Sequence, residues 1–219
     1  MRPRRFHRFR DVLSRRQPDL TVLMEKVNKA HNFSAILRNC DAVGVLEAHA
    51  VFPEHGLRTY HATSAGTRKW IRVTPHADVT EAAAHLKARG FRLVAAHPSA
   101  EARDFRSVDF TRPTALVMGA ELHGVSPDGL ALADAHVVIP MLGMVHSLNV
   151  SVATALLLYE AQRQRAEAGM YDRSRLDADA FRRVLFSWAY PVLAAQLDAQ
   201  GRAYPALDDD GEIASARPS

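Results

Sequence analysis

Short, nearly continuous apolar runs alternate along this chain with stretches of helical period. Five runs have β character, at residues 20–27, 48–52, 91–96, 114–118 and 136–139, and a weaker sixth lies at 70–73. Their apolar side chains do not alternate with polar ones, so they read as strands buried on both faces. Between them fall helical patterns at 32–43, at 80–89 closed by Gly90, at 127–133, and over a long stretch at 149–168 that stops at Gly169. Strands alternating with helices predict an α/β fold with a mostly parallel sheet. The ends differ. Residues 4–16 read as a short basic helix with a weak stripe of Phe6, Phe9 and Leu13, stopped before Pro18. Residues 177–197 keep a helical period that Tyr190-Pro191 kinks or splits, and about ten polar residues at the very end read as loosely ordered. The organisation predicted is a basic amino-terminal helical extension over 1–18, an α/β domain over 19–168, and a carboxyl-terminal helical extension with a loose tail over 169–219.

Composition narrows the class. With 219 residues, 47% hydrophobic and 24% charged, the chain can bury a full core without disulfides or a structural metal. No apolar run approaches the roughly 20 residues that a spanning helix needs, and the arginine-rich start lacks the apolar core of a secretory signal. The single cysteine, Cys40, sits with Ile36 and Leu37 on the apolar side of a helix and reads as core rather than nucleophile. A soluble cytoplasmic protein is expected. The net charge is only +4, yet 24 of the 28 basic residues are arginine. Seven arginines fall within residues 1–16, and Arg163, Arg165, Arg173 and Arg175 make a second knot. Each cluster alone could be a solvated helix face; together they point to a polyanionic partner, nucleic acid.

Several motifs are missing. There is no G-x-G-x-x-G, no phosphate-binding P-loop, no G-x-S-x-G elbow and no zinc-type histidine or cysteine spacing. Three stretches remain that packing alone does not explain. N-K-A-H-N-F-S-A-I-L-R-N-C-D-A-V-G spans residues 28–44. Asn32 can cap the helix there, and Arg38, between Leu37 and Cys40, leaves a structural salt bridge and an anion-binding role both open. G-A-E-L-H-G-V-S, residues 119–126, follows a strand; its glycines allow close backbone approach to a ligand, although a tight turn explains it as well. I-P-M-L-G-M-V-H-S-L-N-V-S-V-A, residues 139–153, runs from a strand through an apolar loop into the long helix. Met141, Leu142 and Met144 suit an apolar pocket, and capping is the default role of Ser147 and Asn149.

In order and spacing these three stretches resemble the three motifs of the SpoU/TrmH family, the AdoMet-dependent RNA ribose 2′-O-methyltransferases of the SPOUT superfamily. R-R-Q-P-D-L-T-V-L-M-E-K-V at 15–27, D-F-R-S-V-D-F-T-R-P-T at 104–114, Y-E-A-Q-R-Q-R at 159–165, A-G-M-Y at 168–171 and A-Y-P-V-L-A at 189–194 extend the similarity over nearly the whole chain. They look like the branch that methylates guanosine 18 in the tRNA D-loop. The resemblance implies an α/β knot, a homodimer with active sites near the subunit interface, S-adenosyl-L-methionine, tRNA, and no metal. It implies catalytic roles for Arg38, Asn32, Glu121, Ser147 and Asn149. Its AdoMet pocket maps to Ala96 and His97, to Gly119, Glu121 and Gly124, and to Ile139, Met141, Gly143, Met144, Ser147 and Leu148. The expected RNA contacts are Arg4, Arg5, Arg8, Arg15, Arg16, Lys87, Arg163, Arg165 and Arg173. Ala30, Asn39, His123 and His146 depart from the common pattern, and the two histidines put substrate affinity and its pH dependence in question.

Overall fold

The computed structural model describes residues 2–52 and 69–214. Residues 17–169 form one compact unit. Its strands are β1 (Leu20–Glu25), β2 (Glu47–Val51), β3 (Arg72–His76), β4 (Arg92–Ala96), β5 (Arg103–Asp104), β6 (Thr114–Met118) and β7 (Ala135–Val138). They build a sheet in the order β3-β2-β1-β6-β4-β7-β5, and every pairing is parallel. Parallel neighbours need crossovers, and helices supply three of them: α2 (Ala30–Ala42) between β1 and β2, α3 (Val79–Ala88) between β3 and β4, and α4 (Pro127–Leu132) between β6 and β7; α5 (Val150–Glu167) follows the last strand and packs on α2.

Both faces of the sheet are covered, which explains the unbroken apolar runs. Leu20, Val22 and Met24 of β1, with Leu116 and Met118 of β6, face Ile36, Leu37 and Cys40 of α2 and Leu157, Leu158 and Ala161 of α5. The alternate residues Leu23, Leu93, Ala115 and Val117 face Val79, Ala82, Ala83 and Leu86 of α3. Cys40 is fully buried, as its pattern indicates. Asp78 and Ser126 cap α3 and α4 by accepting from Glu81 N and Gly129 N at 2.8 Å and 3.1 Å.

Two strands differ from the expectation. The weak run at 70–73 is displaced: β3 spans Arg72–His76, is partly exposed, and is an end strand among those described. Arg72 and Pro75 break its apolar pattern, and proline is tolerated at a sheet edge where its missing N–H has no role. The two-residue β5 carries no apolar signal at all.

The described residues up to Arg16 and from Met170 onward group as a second compact unit. In it α1 (Pro3–Ser14) packs on α6 (Ala178–Ala189), and α7 (Pro191–Ala199) follows. The split falls at Tyr190-Pro191, where proline can begin a helix but not continue one. Phe9 meets Trp188 edge-on at 6.0 Å, Phe186 stacks on Tyr204 at 4.6 Å, and the Tyr190 hydroxyl donates to Gly211 O at 2.8 Å. The loose order expected from about residue 210 does not hold for 210–214. Asp208 N donates to Glu212 O at 2.9 Å and Ala214 N to Ala206 O at 3.0 Å, closing a turn. Residues 215–219 of that tail lie outside the described residues. Among the described residues no helix is long and apolar enough to cross a membrane.

Candidate active site

The three motif stretches meet at the carboxyl ends of β1, β6 and β7, where ligands of open α/β sheets sit. After β1 the chain turns sharply at Lys26, a non-glycine residue at φ 52°, whose N–H donates to Val51 O at 2.9 Å. That turn presents two backbone N–H groups to Glu121, on the loop after β6: Asn28 N at 3.0 Å from Oε2 and Lys29 N at 3.1 Å from Oε1. Asn32 Nδ2 donates to the same carboxylate at 2.8 Å, and Asn149 Nδ2 donates to Asn32 Oδ1 at 3.1 Å. Asn149 Oδ1 in turn accepts from Ser151 N at 2.8 Å and Ser151 Oγ at 2.7 Å. One unbroken chain of hydrogen bonds therefore joins all three motifs. Burial pushes the Glu121 carboxyl up, but the bonds from Asn32 and from the backbone N–H groups of Asn28, Glu121 and Lys29 outweigh it and hold its pKa below the ordinary value.

The expected cap of α2 is corrected. Its N-cap is Lys29, without a side-chain bond, and buried Asn32 lies inside the first turn. Asn32 Nδ2 instead makes a charge-assisted bond to the Glu121 carboxylate. Asn149 does cap α5 through Oδ1, which leaves its Nδ2 to donate to Asn32. Asn39 donates to Ser151 O at 2.9 Å and ties α2 to α5.

Beside this network lies a cavity of about 640 Å³. Of the expected pocket residues, Ala96, His97, Gly119, Glu121, Gly124, Ile139, Met141, Gly143, Ser147 and Leu148 line it, as does Asn149. Gly119 is required there, because a Cβ would collide with the backbone of Gly124 and Val125. Gly124 is left-handed at φ 67° and its N–H donates to Ala120 O at 2.8 Å, closing the loop. Two apolar members are corrected: Leu142 and Met144 are fully exposed and lie outside the lining. The 139–149 loop has no sheet partner to dictate alternation, so composition did not reveal which side chains turn inward.

Arg38 is also outside the lining. It is exposed on α2, and among the described residues its guanidinium has no ion pair or hydrogen bond. The helical period explains this: Ile36, Leu37 and Cys40 define the buried face, and residue 38 is turned about 100° from residue 37. A buried salt bridge for Arg38 is thereby ruled out.

The chain matches the SpoU rRNA methylase family model over residues 19–159, and the model of that family's carboxyl-terminal part over 163–216. This protein belongs to the SpoU methylase family. It is 51% identical over 215 residues to a tRNA (guanosine(18)-2′-O)-methyltransferase of Escherichia coli K12, covering 97% of this chain and 94% of that one. Among solved structures, the Aquifex aeolicus TrmH/SpoU tRNA modifying enzyme superposes with a TM-score of 0.78 at 45% identity, over 86% of this chain and 96% of that one. The SpoU methyltransferase AviRb of Streptomyces viridochromogenes, in complex with AdoMet, superposes with a TM-score of 0.61 at 28% identity, over 69% of this chain and 62% of that one.

The basic residues of this SpoU-family chain divide into several kinds. Arg4, Arg5, Arg8, Arg15 and Arg173 are exposed, with Arg5 lying over the Phe9 ring at 5.3 Å. Lys87 is exposed but paired with Asp134 at 3.1 Å, and Arg163 is held between Glu160 at 2.8 Å and Glu167 at 2.7 Å. Arg16 and Arg165 are corrected as RNA contacts, since both are buried. Arg16 lies over the Trp188 ring at 5.3 Å. Arg165 donates from Nε to Phe110 O at 2.9 Å, from Nη1 to Gln17 at 3.0 Å and Asp19 at 2.6 Å, and from Nη2 to the carbonyls of Asp19 and Arg112 at 3.1 Å. All five of its N–H donors are used.

Two residues at the site escaped the sequence reading. Lys29 lines the cavity. Glu25, buried at the end of β1, accepts from Ser126 N at 2.9 Å and so anchors the end of the glycine loop at the start of α4. For Glu25, an acid closing an otherwise apolar strand was the available signal.

Proposed function

We propose that this protein is an S-adenosyl-L-methionine-dependent tRNA methyltransferase that forms 2′-O-methylguanosine at position 18 in the D-loop. The observation that carries this reading is the Glu121–Asn32–Asn149 chain, which fixes three distant motifs at the rim of one cavity. The tRNA (guanosine(18)-2′-O)-methyltransferase similar over 97% of the chain supports the substrate, and the AdoMet-bound neighbour supports the methyl donor.

The cavity suits that donor. Its volume lies within the range of small-ligand pockets, about 300–1,000 Å³. Ile139, Met141 and Leu148 offer apolar contact, and the close Gly119–Gly124 approach brings backbone polar groups rather than side chains to the wall. Bound AdoMet supplies an electrophilic methyl group on a sulfonium and leaves as S-adenosylhomocysteine. The chain's own residues do the positioning. Glu121, ionised and engaged by three donors, acts as an acceptor and orients the Asn32 amide. Asn32 orients Asn149, next to Ser147 at the rim, so polar groups await the ribose without reorganising. Arg38, whose guanidinium offers donors and no acceptor, serves as a phosphate-holding, alkoxide-stabilising group rather than a base. The ribose 2′-oxygen forms its bond to the methyl carbon as the S–CH3 bond breaks, and the hydroxyl proton passes to water.

A homodimer belongs to the same reading. Val152, Leu156 and Tyr159 of α5 are exposed apolar side chains four and three residues apart, one stripe of a helix that a second copy covers. The family's knotted threading of the carboxyl-terminal part, RNA contact through Arg4, Arg5, Arg8, Arg15 and Arg173, and a cytoplasmic location also belong to it.

The test is transfer of labelled methyl from AdoMet into unmodified tRNA, with nuclease mapping. Label on the ribose of the D-loop guanosine is the expected result. Label elsewhere keeps the enzyme class and moves the substrate to rRNA or another tRNA nucleotide. AdoMet that does not bind overturns the enzyme reading in favour of a silent RNA-binding module. Arg38→Ala is expected to abolish turnover while largely sparing tRNA binding.

A further inference from the structure

Among the described residues that line the cavity, Glu121 is the one carboxylate and Lys29 the one lysine or arginine. The Glu121 oxygens are engaged by Asn28 N, Lys29 N and Asn32 Nδ2. The Lys29 main chain is thus pinned at the rim while its exposed ammonium has no ion pair among the described residues. Arg38 lies outside this rim. Lysine is scarce in the chain, four residues against 24 arginines, yet Lys26 and Lys29 both fall in the turn that faces Glu121.

We infer that Lys29 is a further substrate-binding residue, whose ammonium holds the phosphodiester beside the reacting ribose hydroxyl. This deepens the methyltransferase reading above and rests on it. In a ribonucleotide the 2′-hydroxyl and the 3′-phosphodiester occupy neighbouring carbons, so a pose that brings the 2′-oxygen to the rim brings that phosphate with it. The ionised Glu121 would repel it, and a cation anchored in the same turn offsets that repulsion. A lysine point charge on a flexible stem can follow the phosphate without the planar, two-point geometry that arginine imposes. The other oxyanion of this chemistry is the carboxylate of AdoMet itself, and the test separates the two.

The experiment compares wild-type protein, Lys29→Met and Lys29→Arg. It reads tRNA binding against salt concentration, AdoMet binding without tRNA, and kcat/KM for tRNA. Lys29→Met is expected to lower kcat/KM for tRNA by about 10- to 100-fold, the effect of losing one hydrogen bond to a charged group. It should also make the salt dependence of tRNA binding shallower by about one in slope, with AdoMet affinity unchanged and substantial recovery in Lys29→Arg. An unchanged salt slope and unchanged kcat/KM would overturn the inference. A matching loss of AdoMet affinity would also overturn it, by assigning the ammonium to the donor's carboxylate. Failure of the methyltransferase reading shows separately, as wild-type protein that transfers no methyl; the two tRNA-binding slopes still decide whether Lys29 contacts phosphate.

Discussion

Arg165 carries a buried charge whose five donors join α5 to the start of β1 and to the segment before β6. Taking a guanidinium out of water is costly, and only full pairing offsets it. Truncation removes the guanidinium from the Gln17 and Asp19 side chains and from the Phe110, Asp19 and Arg112 carbonyls, of which the last two keep a bond from Thr114. Arg165→Ala is expected to destabilise the protein by about 3–5 kcal/mol, read as a lower urea midpoint, and Arg165→Lys should recover little because one ammonium cannot reach five acceptors. Arg4→Ala and Arg8→Ala, at exposed positions on α1, should instead lower tRNA affinity and leave the urea midpoint alone. The run of basic residues at 163–175 did not distinguish these roles. Arg163 and Arg165 are two residues apart, and a helix turns such neighbours about 200° from one another: one meets solvent and two glutamates, the other the core.

At the scale of elements, β2, β3 and α3 enclose a charged nest that no motif announced. Glu47 accepts from Thr74 Oγ1 at 2.5 Å, Arg72 Nε at 3.1 Å and Arg89 Nη1 at 3.1 Å. Next to it the His49 ring meets His76 through Nδ1···Nε2 at 3.0 Å, and His85 lies 5.5 Å away. Burial, opposed by Glu47 and assisted by His76, Arg89 and His85, pushes His49 down to about 4. Burial alone would raise Glu47, yet its bonds to Thr74 and Arg72 and the Arg72 charge bring it to about 2. The two act in adjoining windows. The unfolded chain takes up the His49 proton near pH 6.5 and the folded chain resists it, so stability falls from pH 6.5 towards 4. The Glu47 contribution is complete above its ordinary value of 4.5 and is lost towards 2. His49→Gln is expected to flatten the loss between pH 6.5 and 4 in chemical unfolding and to leave the steeper acid limb in place. An unaltered profile would remove His49 as its source.

For the whole molecule, the decisive property is the apolar stripe of Val152, Leu156 and Tyr159 on α5, exposed among the described residues. Leu156→Asp places a charge in its centre and is expected to convert a dimer, seen by sedimentation at twice the chain mass, into a monomer. Methyl transfer should fall with it, because the family resemblance sets the active sites near the subunit interface. A monomeric wild-type protein with full activity would refute that arrangement. Between residues 150 and 161 the long helix therefore carries apolar side chains on two sides. One side, Leu157, Leu158 and Ala161, enters the core. Another, Val152, Leu156 and Tyr159, is exposed.

Local chemistry sufficed for much of this. Unbroken apolar runs led to a parallel sheet covered on both faces, because a strand buried twice has no polar side to show. Asn149 as a cap, Cys40 as core and the break at Pro191 followed from backbone and side-chain rules that operate within a few residues. What the chain alone could not disclose were pairings across long separations. Asn32 lies inside the first turn of α2 and donates to a carboxylate 89 residues away. Asn149 meets Asn32 across 117 residues, and Arg165 meets Asp19 across 146. Such bonds depend on which strand ends lie side by side, and only the order β1-β6-β4-β7 in the folded sheet decides that.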